Sequence, residues 1–130
     1  EEAKRHLTRR YHTHTGSNLA QNSIVQHRLG TLYASLESAR QLTYHAASSF
    51  DAGKPDALIA LMSAKVQVAD CVVNLVNEAM TLCGGIGYRK GSRLHRLLRD
   101  ARAAPLMSPT SDMMRVWIGR ALLGQPLLSD

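Results

Sequence analysis

Between Ser17 and Phe50, apolar or small residues return at seven-residue intervals: Val25, Leu32, Ala39 and Ala46 form one row, and Leu29, Leu36, Thr43 and Phe50 form a second, offset by four. Two such rows draw an a/d seam along one side of an α-helix, whereas a strand would alternate its faces every second residue. The spacing predicts one long helix over Ser17–Phe50 whose seam needs a partner. Asp51-Ala52-Gly53-Lys54-Pro55 then stops it with turn chemistry, and Pro55 suits the first turn of a second helix. From Pro55 to Cys83 the chain is apolar around much of a helical circumference, with Leu58, Leu61, Met62, Val68, Ala69, Val72, Val73, Leu75, Val76, Ala79, Met80 and Leu82 along it. A helix of that kind sits centrally and touches neighbours on several sides.

Gly84-Gly85-Ile86-Gly87-Tyr88 ends the second helix, glycine supplying the left-handed conformation that a helix C-terminus favours. A third helix is expected near Ser92–Ala103, with Leu94, Leu97 and Leu98 inward and Arg93, Arg96 and Arg99 at steps of three. Pro105 and Pro109 are expected to bracket an irregular connection. A last helix, Ser111–Leu123, carries Met113, Met114, Trp117, Ile118, Ala121 and Leu122 on its apolar side, with Thr110 as its cap. Lys4–His14 reads as the tail of another helix, cut at its N-terminal side. No segment alternates with period two over strand length. The expected fold is therefore all-α: an antiparallel helical bundle with two long central helices, residues 17–130 forming the bundle and 1–16 a helix tail and connection. At 130 residues this is one domain.

Sixteen Lys and Arg against ten Asp and Glu leave a formal charge of +6, which favours an anionic partner without choosing one. Arg89, Lys90, Arg93, Arg96, Arg99 and Arg102 make a basic run opposed by Asp100 alone. One Phe, one Trp and four Tyr are too few for a stacking platform, so a solvated, salt-bridged face is preferred over a nucleic-acid surface. Charge interrupts the apolar stretches within about ten residues, short of the roughly 18 to 20 of a membrane span, so none is expected. Cys71 and Cys83, twelve apart on one helix, would stand about 18 Å from each other, too far for a disulfide. Two buried thiols suit a reducing, cytoplasmic setting.

Local chemistry is sparse. His12-Thr13-His14 lacks the Cys or carboxylate that would complete a metal site, and residues two apart diverge on a helix. The Gly84–Gly87 group follows a helix rather than a strand, which removes its reading as a dinucleotide fingerprint but leaves room for a ligand close to the backbone. Glu37, Glu78 and Asp70 lie within the long helices, where a basic partner accounts for each.

Taken in order, four segments resemble the C-terminal helical domain of the acyl-CoA dehydrogenase superfamily. They are Gly16-Ser17-Asn18-Leu19-Ala20 followed by Ile24-Val25-Gln26; Gly84-Gly85-Ile86-Gly87-Tyr88; Arg96-Leu97-Leu98-Arg99-Asp100-Ala101-Arg102; and Pro109-Thr110-Ser111-Asp112 leading to Arg115 and Gly119-Arg120-Ala121-Leu122-Leu123. The resemblance spans about Gly16 to Leu123. It implies FAD as cofactor, oxidation of acyl-CoA to 2-enoyl-CoA, electrons passed to an electron-transfer flavoprotein, and homo- or hetero-oligomers assembled through the bundle. It also implies that one copy's bundle reaches the adenosine and pyrophosphate of the flavin nucleotide held by its neighbour.

Carried over residue by residue, the pattern is thinned. The family's two positions for the glutamate base are occupied by Ser108 and Thr13, and a serine hydroxyl cannot take an α proton at neutral pH as a carboxylate does. The usual arginine before the first glycine is His12, the glutamine before the central glycines is Thr81, and the acidic or amide residue after the final threonine is Asp112. Gly84, Gly85, Gly87 and Thr110 keep the cofactor-binding pattern. Three functions follow in descending order: a base-lacking C-terminal domain of an acyl-CoA dehydrogenase-like enzyme, a flavin-dependent monooxygenase branch of the same superfamily, and a non-catalytic helical assembly module. The isolated bundle is expected to dimerise through its long helices, to be inactive and to hold FAD weakly or not at all.

Overall fold

The computed structural model describes residues 1–12 and 16–128. Its helices are α1 (Glu2–Arg9), α2 (Ser23–Asp51), α3 (Ala57–Cys83), α4 (Gly85–Tyr88), α5 (Arg93–Leu106) and α6 (Ser111–Leu122). Two-residue strands β1 (Tyr11–His12) and β2 (Ser17–Asn18) pair antiparallel, with His12 opposite Ser17. The all-α bundle expected from the seven-residue rows is the observed architecture, and α2 and α3 are its two long members.

The pairing of α2 with α3 can be followed through two contacts. Arg28 Nη2 donates to Glu78 Oε2 at 2.5 Å, and one heptad further along α2 the Cys71 thiol points at the Ser35 carbonyl oxygen, 3.5 Å away. An advance of seven on α2 is thus matched by a retreat of seven on α3, as an antiparallel hairpin requires. Leu32, Ala39 and Ala46 are buried at this seam. The second row departs from expectation: Thr43 and Phe50 are exposed, while Leu42 is half-buried and Ser49 wholly buried. The seam therefore runs at an offset of three rather than four. A polar Ser49 inside and an aromatic Phe50 outside conceal this from a count of apolar residues.

Helix α3 is the spine, packing against α1, α2, α4, α5 and α6. With 27 residues and a mean hydropathy of 1.5 in its most apolar window, α3 is long and apolar enough to cross a membrane, contrary to the expectation from interrupted stretches. It packs against five other helices, yet only 28% of that window is buried, so length and apolarity alone do not make it a membrane span. Ala3 and Leu7 of α1 join Leu32, Val76, Met80, Leu82 and Leu94 in one apolar cluster.

Four element boundaries differ from the sequence expectation. Helix α2 starts at Ser23, not Ser17, because the Asn22 side chain accepts from the Ile24 and Val25 amides at 2.9 and 3.3 Å and fixes the first turn there. Helix α3 starts at Ala57, with Pro55 in the preceding turn. The helix expected over Lys4–His14 stops at Arg9 and passes into the β ribbon. Pro105 lies inside α5 rather than in a connection: the helix continues past it because the Met107 amide still reaches the Ala103 carbonyl at 2.9 Å. In α6, Met113 and Leu122 are exposed although they were placed on its apolar side.

Candidate functional site

The glycine group closes α3 in two different ways. Gly84 takes φ +57° and ψ −147°, the mirror image of an extended conformation and not the left-handed helical one expected; a side chain there is strained. A Cβ placed on Gly84 or Gly85 would meet nothing within 4 Å. Gly87 is the opposite case: its Cβ would fall 2.9 Å from Cys83 Cβ and 3.0 Å from the Met80 carbonyl oxygen. Gly87 is thus a packing glycine that lets α4 fold back on α3, and only Gly84 and Gly85 present open backbone. Ser92 braces the turn by donating to the Gly87 carbonyl at 2.6 Å while its hydroxyl oxygen accepts from the His95 amide, capping α5.

The second group of predicted residues surrounds the loop before α6. Lys65 of α3 donates to the Pro109 carbonyl at 2.6 Å, with the Met107 carbonyl at 3.4 Å, and so fastens the segment holding the exposed Ser108. Thr110 accepts from the Met113 amide at 3.3 Å as the cap of α6. Asp112, almost fully exposed, accepts from Arg115 Nη1 at 2.9 Å. The other amino group of Arg115 donates to Asp70 of α3 at 2.6 Å. The Asp70 hydrogen bond first, and the Asp112 contacts after it, push the Arg115 pKa above its ordinary value, so the guanidinium is a fixed cation.

These two groups are not one pocket. Lys65 and Cys83 are eighteen positions apart on α3, about 27 Å at ~1.5 Å per residue. Ser108, Thr110 and Asp112 gather at one level of the helix, and Thr81, Gly84 and Gly85 at its far end. Thr81 is exposed, its hydroxyl donating to the Asn77 carbonyl at 3.0 Å. Thr13 lies outside the described residues. His12 is described through its backbone, which pairs with Ser17 beside α1. The metal reading of His12-Thr13-His14 also falls outside the described residues.

The carboxylates named from sequence all have basic partners: Glu37 with Arg40 at 2.7 Å, Glu78 with Arg28, and Asp70 with Arg115. The basic stripe on α5 is less paired than expected. Arg93 reaches Glu2 at 3.8 Å, whereas Arg96, Arg99 and Arg102 make no ion pair among the described residues. Cys71 and Cys83 are buried free thiols, and burial pushes both thiol pKa values up, which keeps them unreactive. A cleft of about 520 Å³ lies between α1 and the α4–α5 segment, where Arg5, Arg9 and Arg10, a second basic patch in the sequence, come beside Arg93 of the basic run; that the two patches meet in one cleft was not expected.

A family model for the acyl-CoA dehydrogenase C-terminal domain matches residues 1–123. The chain belongs to the acyl-CoA dehydrogenase family. It is 34% identical over 109 residues to an acyl-CoA dehydrogenase of Bacillus subtilis, a match covering 84% of this chain and 28% of that protein. The solved butyryl-CoA dehydrogenase of Megasphaera elsdenii superposes with a TM-score of 0.87 at 27% identity, over 94% of this chain and 31% of that one. A solved FAD-dependent dehydrogenase superposes with a TM-score of 0.84 at 25% identity, over 96% of this chain and 33% of that one. The chain thus spans under a third of the length of its acyl-CoA dehydrogenase relatives.

Proposed function

We propose that this bundle serves an FAD-dependent acyl-CoA dehydrogenase-type oxidoreductase that lacks the usual glutamate base, contributing flavin contacts and subunit assembly. The observation that carries the reading is the open backbone of Gly84 and Gly85 at the end of α3, where an added Cβ would meet nothing within 4 Å beyond the chain neighbours. That cradle fits a nucleotide cofactor. When bound, the flavin supplies the hydride acceptor. Thr110 and Asp112 belong to the segment fastened to α3 at Lys65 and Asp70, about 27 and 20 Å along that helix from Cys83 at ~1.5 Å per residue, a separation that suits residues serving two cofactors in an assembly, one from each end.

Among the described residues around this loop, none offers an unpaired carboxylate for proton abstraction. Ser108, which the resemblance puts at the position of the base, offers only a hydroxyl, Asp112 already accepts from Arg115, and Asp70 occupies the other side of that guanidinium. What Ser108, Thr110 and Lys65 can do is hold a loop in one conformation and present its polar groups. Assembly is supported by Tyr33 and Tyr44, eleven positions apart and therefore on one face of α2, which are 65% and 62% exposed.

The test uses the full-length enzyme. It is expected to retain FAD, to oxidise acyl-CoA slowly or not at all with ferrocenium as acceptor, and to gain rate when Ser108→Glu installs a carboxylate. A flavin-loaded Ser108→Glu enzyme with no gain on any acyl-CoA would end the reading. Oxygen consumption coupled to NADH would replace it with the monooxygenase alternative.

A further inference from the structure

The side of α2 turned away from α3 carries a pattern that the chain's own packing does not call for. Tyr33, Glu37, Arg40 and Tyr44 are spaced four, three and four apart, which sets them in one row along the helix, on the side opposite the buried Leu32, Ala39 and Ala46. The row is matched about its midpoint. Tyr33 and Tyr44 lie equally far from the point between Ser38 and Ala39, and so do Glu37 and Arg40, with opposite charges. The same alternation of three and four continues outward to two small residues, Gly30 and Ala47, and then to two polar ones, Gln26 and Asp51.

Nothing inside the chain explains this order. Both tyrosines are exposed, and Gly30 is exposed too. A Cβ built on Gly30 would meet nothing within 4 Å, and glycine is a poor helix former, so its place within a 29-residue helix serves no contact of this chain. A second backbone passing close by is what a missing side chain there allows. Glu37 accepts from Arg40 Nη1 at 2.7 Å and from the Gln41 amide at 2.9 Å, so both charges already stand side by side at the centre of the row. Asp51 makes no ion pair among the described residues. Gln26 donates to the Ala20 carbonyl at 2.9 Å, which uses one of its two amide protons.

We propose that a second copy of this chain packs on this face, the two α2 helices running antiparallel about a two-fold axis that passes between Ser38 and Ala39. A two-fold contact sets each residue against its counterpart across the midpoint. Glu37 therefore faces Arg40 of the second copy, Tyr33 faces Tyr44, and Gly30 faces Ala47. The charged pairs close into a ring of two carboxylates and two guanidinia around the axis, and each tyrosine gains an aromatic neighbour, with small residues in the next layer leaving room for the rings. Steps of three and four keep such a row in contact at a shallow crossing, over about 37 Å from Gln26 to Asp51 at ~1.5 Å per residue. Parallel pairing in the same register would set Glu37 against Glu37 and Arg40 against Arg40, which like charges oppose. The balanced charge at the centre offers little to a strongly acidic or basic partner and suits a copy of itself. This pairing rests on the assembly part of the proposed function, to which it gives a partner and a geometry, and it uses none of the flavin contacts.

The test is sedimentation velocity of the full chain over a concentration series, with amide spectra showing that each variant folds. Glu37→Arg gathers four guanidinia at the axis and Arg40→Glu four carboxylates, and each is expected to weaken the dimer at least about tenfold. Mixing these two variants is expected to restore it as a heterodimer, and Glu37→Arg combined with Arg40→Glu in one chain to restore it alone. Register is read by cross-linking. Tyr33→Cys mixed with Tyr44→Cys is expected to form a disulfide on mild oxidation, whereas Tyr33→Cys alone is not, its two thiols standing eleven positions apart, about 16 Å along the helices against a limit near ~7 Å. The native Cys71 and Cys83 are buried and do not compete. An oligomer that neither charge reversal weakens overturns the pairing and leaves assembly through another face standing. A disulfide formed by Tyr33→Cys alone overturns the antiparallel arrangement. A chain that stays monomeric at every concentration overturns the pairing and the assembly reading together, while FAD retention by the full-length enzyme still decides the flavin reading.

Discussion

The two ends of α3 are built differently. Around Val76–Cys83, large side chains from α1, α2, α3 and α5 interlock, with Leu7 at 1% exposure and Leu94 and Met80 buried beside it. Around Ala57–Ala64 the buried residues are mostly small, Ala46 and Ser49 of α2 facing Ala57 and Ala64 of α3, with Met62 the one large residue in the set. There the large apolar groups face outward, Phe50 and Leu58 among them. Small residues bring two helix backbones close, and the bulky ones are then displaced to the rim. Burial alone therefore does not measure cohesion: the first end is locked by volume, the second by proximity.

The comparison is broken most directly by Leu7→Ala against Leu58→Ala in chemical denaturation. Leu7→Ala is expected to cost about 2–5 kcal/mol, as full burial of a leucine implies, and Leu58→Ala no more than ~0.5 kcal/mol. A comparable loss at Leu58 would mean that the open end is covered in solution. Next in size is Gly87→Ala, expected to destabilise by about 1–3 kcal/mol because the new methyl meets Cys83 and the Met80 carbonyl. Gly85→Ala, with empty space at that point, should leave stability unchanged or raise it by up to ~1 kcal/mol.

Helix caps sharpen the contrast further. Asn22→Ala is expected to cost about 1 kcal/mol globally, because α2 begins against the interlocked end. Thr110→Ala removes the same kind of cap from α6, where only Ser111 is buried, and should appear as faster amide exchange in the first turn of α6 more than as a shift of the unfolding midpoint. The smallest effect belongs to His6. Its pKa is lowered in the folded chain, so its contribution is present above about pH 6.5 and is lost as pH falls through the lower folded value. Thermal melts between pH 7 and 5 should show that acid-side decline, reduced in His6→Gln.

Much of this architecture is legible in the residues. The Leu32–Ala39–Ala46 row, the break at Gly84 and the Thr110 cap each state their structural role in their own chemistry. The offset of the second row is not legible, because Ser49 is buried and Phe50 is outside, and only the distance between α2 and α3 decides that. Pro105 within α5 is equally opaque, since a proline near a helix end is compatible with either reading. At the candidate site, the openness of Gly84 and Gly85 and the closure of Gly87 share one tripeptide-scale motif and are separated only by where α3 passes. The arginine cleft escapes a linear reading for a related reason: Arg9 and Arg93 are distant in the chain and become neighbours through the packing of α1 against α3.

Because one uninterrupted helix carries the Lys65 anchor and the glycine turn, it acts as a ruler between them. Lengthening α3 by a heptad, with a matching heptad in α2 to keep the hairpin in register, would move Gly84 away from Thr110 by about 10 Å without touching either local arrangement. The reach between the two ends is thus a property of helix length, adjustable separately from the chemistry at each end.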